Sequence, residues 1–373
     1  MFRFFGQSGT AKRSSVHDDP AAMAARGVDE LRSRQRSSLN DAVNELSQGV
    51  HSSAPQIGIP PPTAAVQNTA DLREWDSMDL KSLNKSQLEQ LANAHFNGDF
   101  GALNMWGDEK DEPNIPRAIE IWEVASSPTF NSRRARYSLA LCLREGNGSE
   151  RSIGRAEDLL RDLVKEDDYA LAHYTLGVMY QKEELGKDLS KDDCEKVQYE
   201  HFRAAAKGGG PPQSLYNVAV MLFDGRGVDQ NEKTALQLLN VVVEAGDPAA
   251  MFTLGTWIVQ QRAGLELDMD KAFQLFLQSG QAGHTLAMYN AGDCLLLGKG
   301  CEVDEREAAV WFEEASNRGL VQASVNLGSM YRDGKGVEKD LVKARNLYSR
   351  HMMTNKDCRE LVASVEQQIE AEK

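Results

Sequence analysis

No apolar run in this 373-residue chain approaches the roughly 18 residues needed to cross a bilayer. An apolar centre followed by a small-residue cleavage site is missing too, so the chain reads as soluble and outside the secretory route. Cysteine is scarce. Cys142, Cys194, Cys294, Cys301 and Cys358 are odd in number, form no C-x-x-C pair and have no histidines at ligand spacing. That argues against a disulfide framework and a thiolate metal site, and leaves free thiols in a reducing compartment. Aromatic residues make up only 7%, with no dense apolar block to mark one large core, so a distributed core is expected. The seven histidines are scattered without an H-E-x-x-H, and no G-x-S-x-G elbow occurs. The expectation is therefore no catalytic residue, no metal and no cofactor: a non-enzymatic chain.

Charge is abundant but lopsided. Of the net −14, residues 1–75 contribute nothing (eight basic, eight acidic), so residues 76–373 carry the whole excess, 34 basic against 48 acidic. An acidic body repels phosphate backbones, which argues against nucleic acid and mildly favours basic peptide partners.

Residues 51–70 hold four prolines and no charge, and read as a linker. It separates a largely disordered arm, 1–75, from the body. Within the arm, Asp19-Pro20 starts an amphipathic helix over about residues 20–48. The arm also carries Arg32, Arg34 and Arg36 before Ser37, a spacing that suits a basophilic kinase, although a solvated helix face accounts for the same residues. Residues 1–16 contain three phenylalanines, three basic residues and no acid, as a mitochondrial presequence would, but Asp18, Asp19, Asp29 and Glu30 follow closely. The cytoplasm is the first expectation for location and the mitochondrion the alternative.

Beyond the linker the sequence repeats itself. Ala235, Ala272, Ala308 and Ala344 are 37, 36 and 36 residues apart, and Leu254-Gly255, Ala291-Gly292 and Leu327-Gly328 keep the same steps. A period of this length signals stacked helical hairpins. Four residues before each register alanine stands a cap residue: Asn114, Ser152, Asn231, Asp268, Asp304 or Asp340. Four residues after stands a large apolar one, Trp122, Leu160, Leu239, Phe276, Phe312 or Tyr348, one turn further along the same face. Glycine recurs in mid-helix despite a cost of about 1 kcal/mol, which implies close packing there. The Gly-x-Gly loops, such as Gly225 to Gly227 and Gly334 to Gly336, follow helices rather than strands and read as left-handed turns, not phosphate cradles.

Taken together as A-x-x-x-LG-x-x-Y…G-x-G-V…KA…A-x-x-G, these residues resemble the Sel-one-like repeat, a relative of the tetratricopeptide repeat. The resemblance implies an all-α, right-handed α-solenoid of about seven helix-turn-helix units over 84–350, closed by a capping helix within 353–373. The third unit departs from the pattern, with a long charged loop from Lys182 to Asp193 and a Gly208–Pro212 break where a hinge is expected. The fifth carries an insert after Arg262.

The resemblance also implies an adaptor or scaffold that grips a protein or peptide on a concave face lined by first helices. The candidate column is the polar residue before each Leu-Gly pair: Thr175, Asn217, Thr253, Asn290 and Asn326. Such side chains can bond an extended peptide, or they can tie neighbouring helices together. Recurrence favours the second, and both readings stay open. Two rivals remain. The resemblance to some bacterial relatives implies a repeat-fold enzyme or small-molecule binder acting on peptide or cell-wall-like fragments, and the repeats suit a self-assembling structural protein; the sequence leaves the oligomeric state undefined.

Overall fold

The computed structural model describes residues 76–97 and 114–372. The expected arm helix over 20–48, the linker 51–70, Ser37 and residues 1–16 all lie outside the described residues. Fifteen α-helices and one short 3-10 turn, Leu80–Ser82, occur among the described residues, with no strand.

The helices form seven hairpins and a final helix. They are α1 (Lys85–Asn97) with α2 (Ile115–Ser126), α3 (Arg133–Glu145) with α4 (Ile153–Asp167), and α5 (Ala170–Gln181) with α6 (Lys191–Lys207). Next come α7 (Pro212–Asp224) with α8 (Glu232–Glu244), and α9 (Pro248–Val259) with α10 (Met269–Gln281). The last are α11 (Thr285–Leu297) with α12 (Glu305–Asn317), and α13 (Val321–Asp333) with α14 (Leu341–Ser349), followed by α15 (Lys356–Ala371). Every helix packs against the one before and the one after it, and no pair of α-helices further apart in sequence makes comparable contact. The fold is an all-helical solenoid.

Local chemistry sets the helix ends. The side chains of Asn114, Asn231, Asp268, Asp304 and Asp340 each accept a hydrogen bond from the third amide of their helix. Ser152 does not. A serine reaches that amide where the cap residue is more extended, as at Ser132 (ψ 114°) and Ser190 (ψ 156°), but not at Ser152 (ψ 89°). The longer Asn and Asp side chains span the gap at similar ψ, as Asp304 does at 90°.

The Gly-x-Gly loops are left-handed turns. Gly334 (φ 70°) caps α13 by donating its N–H to Met330 O, and Gly336 (φ 66°) follows in the same region. A Cβ on Gly336 would also fall on the backbone of Glu305, the first residue of α12, so the turn seats directly on the start of the preceding unit's second helix. Gly300 meets Met269 at the start of α10 in the same way.

The core is distributed as the repeat requires. The register alanines Ala118, Ala156, Ala235, Ala272, Ala308 and Ala344 are all fully buried, and Phe312 and Tyr348 are fully buried one turn on. Burying one such ring contributes about 1.5–3 kcal/mol. In the third unit Gln198 holds the alanine's place, buried, with Phe202 four residues later. Its long loop is tethered: Arg144 Nε donates to Glu184 at 2.6 Å, and Leu185 is buried. α6 still packs on α7 across the Gly208–Pro212 turn. At the far end α15 buries Cys358, Val362 and Val365, the two valines packing in one cluster with Leu341, Ala344 and Tyr348.

Candidate functional site

The first helices of neighbouring units meet along the polar column. Tyr137 Oη on α3 lies 3.0 Å from Thr175 Oγ1 on α5, and Tyr216 Oη on α7 lies 3.1 Å from Thr253 Oγ1 on α9. Burial pushes the Tyr137 hydroxyl above its ordinary pKa, and the bond to Thr175 offsets part of that. These two threonines therefore tie successive units together. The three asparagines behave differently. Asn217, Asn290 and Asn326 are half-buried, and their amides make no hydrogen bond among the described residues. One sequence column thus splits in two: its hydroxyl members are engaged by the preceding unit, and its amide members present both a donor and an acceptor to whatever lies against them.

An aromatic column that sequence reasoning missed runs beside it. Tyr174, Tyr216, Phe252 and Tyr289 each stand one residue before the polar column and are half-buried. Three of them lean on the ring of their own unit's second helix, Tyr174 on Phe202, Phe252 on Phe276 and Tyr289 on Phe312, at centroid distances of 5.6–5.9 Å. The signal was present in the sequence as an aromatic recurring at 42, 36 and 37 residues, masked by its resemblance to ordinary core spacing. Ser37, the sixth sequence candidate, lies outside the described residues.

Other reactive groupings are engaged in structure. Ser324 Oγ sits 2.9 Å from His351 Nε2, the distance of a nucleophile and its base, but Ser324 is fully buried and also meets Ser316 Oγ at 2.7 Å. His173 bonds Asp168 through Nε2 at 2.8 Å and His201 through Nδ1 at 2.9 Å, joining the end of α4 to both helices of the third unit. Among the described residues no cluster of three or more His, Cys, Asp or Glu could hold a metal ion. The five cysteines are free thiols, and burial pushes Cys142 and Cys294 up to about 11, which keeps them protonated and unreactive. No helix among the described residues is long and apolar enough to cross a membrane.

With this geometry in hand, the comparisons with known proteins are specific. The Sel1 repeat profile matches residues 133–161, 212–246, 248–284, 285–320 and 321–350. These are the second, fourth, fifth, sixth and seventh hairpins; the unmatched third is the one in which Gln198 replaces the alanine and a long loop replaces Gly-x-Gly. The chain is 28% identical over 126 residues to chitin synthase regulatory factor 3 of Schizosaccharomyces pombe, covering 33% of this chain and 13% of that one. It is 25% identical over 266 residues to the chitin synthase regulator SKT5 of Saccharomyces cerevisiae, covering 70% of this chain and 36% of that one. The chain therefore spans well under half the length of either regulator. A crystal structure of a Sel1 repeat protein from Oxalobacter formigenes superposes with a TM-score of 0.55 at 23% identity, covering 63% of this chain and 90% of that one. Five profile matches, each in register with a helical hairpin, show that the chain carries Sel1 repeats.

Proposed function

We propose that this protein is a non-catalytic adaptor that holds a protein or peptide segment against the faces of its first helices, which form the concave side of the solenoid. One observation carries the reading: Asn217, Asn290 and Asn326 stand in register on α7, α11 and α13, half-buried and unbonded, while Thr175 and Thr253 in the same column are taken by tyrosines. An extended peptide needs partners for its own N–H and C=O groups, and an amide side chain supplies one of each. Two of its relatives are named as regulators of an enzyme; the proposal takes from them only that such a chain works by binding another protein. The cytoplasm is the proposed location, with the mitochondrion as the alternative raised by residues 1–16. A fluorescent fusion of the full chain that colocalises with mitochondria would select the alternative.

The test of the binding role joins two measurements on the triple variant N217A/N290A/N326A. Since none of these amides is bonded among the described residues, the melting temperature should stay nearly unchanged while capture of partners from a lysate by the full chain falls. A lowered melt with undiminished capture would end the assignment of this column to binding.

A further inference from the structure

The binding strip is almost free of charge. Relative to the column Gly177, Ala219, Gly255, Gly292 and Gly328, the residues six, three and two before and one after fall within a stripe about 100° wide on each first helix, which the position five after closes at the helix C-terminus, where Asp224 and Asp333 are each paired with an arginine. Across α5, α7, α9, α11 and α13 these four positions make twenty residues, all but Thr175 half-buried or exposed. Only one of them, Asp293, is charged, and its carboxylate lies 3.1 Å from Lys299 Nζ. In a chain with 26% charged residues, about five charges would be expected among twenty half-exposed positions. On α3 the same stripe carries the exposed Arg134, which marks the edge of the neutral zone. The charge has gone elsewhere: α12 alone places Arg306, Glu307, Glu313 and Glu314 on its exposed surface.

Resting on the adaptor reading above, we infer that the segment held on this strip is an extended, uncharged peptide, bound through its main chain by the three asparagines and through apolar side chains by the tyrosine and phenylalanine column. The acidic body attracts basic ligands at a distance, but that field fades within about 8 Å at physiological salt. At contact, a lysine or arginine of the ligand would lose hydration against Tyr216, Phe252, Tyr289 and uncharged amides, where the Asp293 and Asp247 carboxylates are already bonded to Lys299 and Gln213, and an unpaired desolvated charge is costly. An uncharged segment has no such loss. Its apolar side chains gain burial against the rings, and its peptide groups exchange water for the Asn217, Asn290 and Asn326 amides. Binding of this kind is insensitive to salt.

The experiment selects peptides from a phage-displayed random library on the immobilised full chain, at ~50 mM and at ~500 mM salt, where screening lengths differ more than threefold. Three proteins are compared: the wild type, N217A/N290A/N326A and the near-isosteric N217D/N290D/N326D. The expected wild-type peptides are depleted in Asp, Glu, Lys and Arg relative to the unselected library, and are enriched equally at both salts. The alanine variant should lose at least ten-fold in enrichment. The aspartate variant, whose side chains keep their shape, should recover Lys- and Arg-rich peptides at low salt only. If the wild type instead selects basic peptides that wash away at high salt, and the alanine variant still loses them, the adaptor reading stands and the neutral-ligand inference is overturned. If the wild type enriches nothing, or the alanine variant binds as well as the wild type, both are overturned.

Discussion

Gly328 on α13 and Tyr348 on α14 share one space: a methyl group added to the glycine would fall on the tyrosine ring. The same relation joins Gly177 to Phe202, Gly255 to Phe276 and Gly292 to Phe312. Where the second helix offers Leu239 instead of a ring, the first carries Ala219, and the pair Ala140 and Leu160 follows suit. Each of these six hairpins therefore divides a fixed volume between its two helices, and the size of the second-helix residue dictates whether the first can have a Cβ.

That coupling has a measurable sign. Gly328→Ala overpacks against Tyr348, a cost of roughly 1–3 kcal/mol, offset in part by a helix-propensity gain of about 1 kcal/mol. On a Tyr348→Leu background the new methyl enters vacated space, so Gly328→Ala should become neutral or stabilising. Urea titrations of the two single variants and the double variant check this; a penalty of equal size on both backgrounds would show that the ring is not what excludes the methyl.

The caps predict a contrast between two residues that look alike in the sequence. Asp340→Ala removes the bond accepted from the Lys343 amide at 2.8 Å and should cost about 1 kcal/mol. Ser152→Ala removes no such bond and should change stability by less than about 0.5 kcal/mol. Thermal melts of the two variants separate them.

A third prediction concerns acid. His201 shares a single proton position with His173 across the 2.9 Å Nδ1 to Nδ1 contact, since both nitrogens cannot carry one. Burial, His173 and Arg161 together push His201 down to about 4 from its ordinary 6.5. Asp168 faces the far side of His173, and Tyr180 stacks on His201 while its hydroxyl accepts from Arg161. The folded state thus holds His201 neutral where the unfolded chain protonates it. Its stability is fully present above about pH 6.5, falls as the pH drops below that, and levels off near pH 4. The loss is of the order of 2–3 kcal/mol. Guanidinium titrations from neutral pH down to about 4 should show this slope in the wild type and a shallower one in His201→Gln.

The thiols give a fourth. Native protein should label first at Cys194 and Cys301, which are partly exposed, and last at Cys142 and Cys294, buried and pushed up to about 11. After denaturation all five should label without prior reduction. Recovery of a Cys294–Cys301 disulfide from freshly lysed cells would overturn this.

Much of this architecture was legible in the sequence, because the repeat writes each constraint several times. Ala272, Ala308 and Ala344, the Asp caps and the Gly-x-Gly turns are each fixed within one unit, so spacing alone exposed them. What the sequence hid depends on geometry between helices, across units or within one. Tyr137 reaches Thr175 across 38 positions and His173 reaches His201 across 28, and no periodicity announces either. The polar column looked uniform because Thr and Asn are both small and polar; only the structure separates the threonines that meet a tyrosine hydroxyl from the asparagines that do not. Ser152 failed as a cap because its short side chain cannot span the amide at ψ near 90°, the angle that the longer Asp268, Asp304 and Asp340 bridge.

Each helix among the described residues finds its main packing partners immediately before and after it in the chain. During synthesis, then, a hairpin leaving the ribosome already has everything it needs on the side made earlier, and nothing buried waits for a segment hundreds of residues away. Each hairpin still needs the next element to cover its later face, and for the seventh that element is α15: Tyr348 and Leu341 stay uncovered until Val362 and Val365 have been added. Losing the last twenty residues to premature termination would therefore leave six finished hairpins and one with an open apolar face, the kind of surface on which quality-control machinery acts.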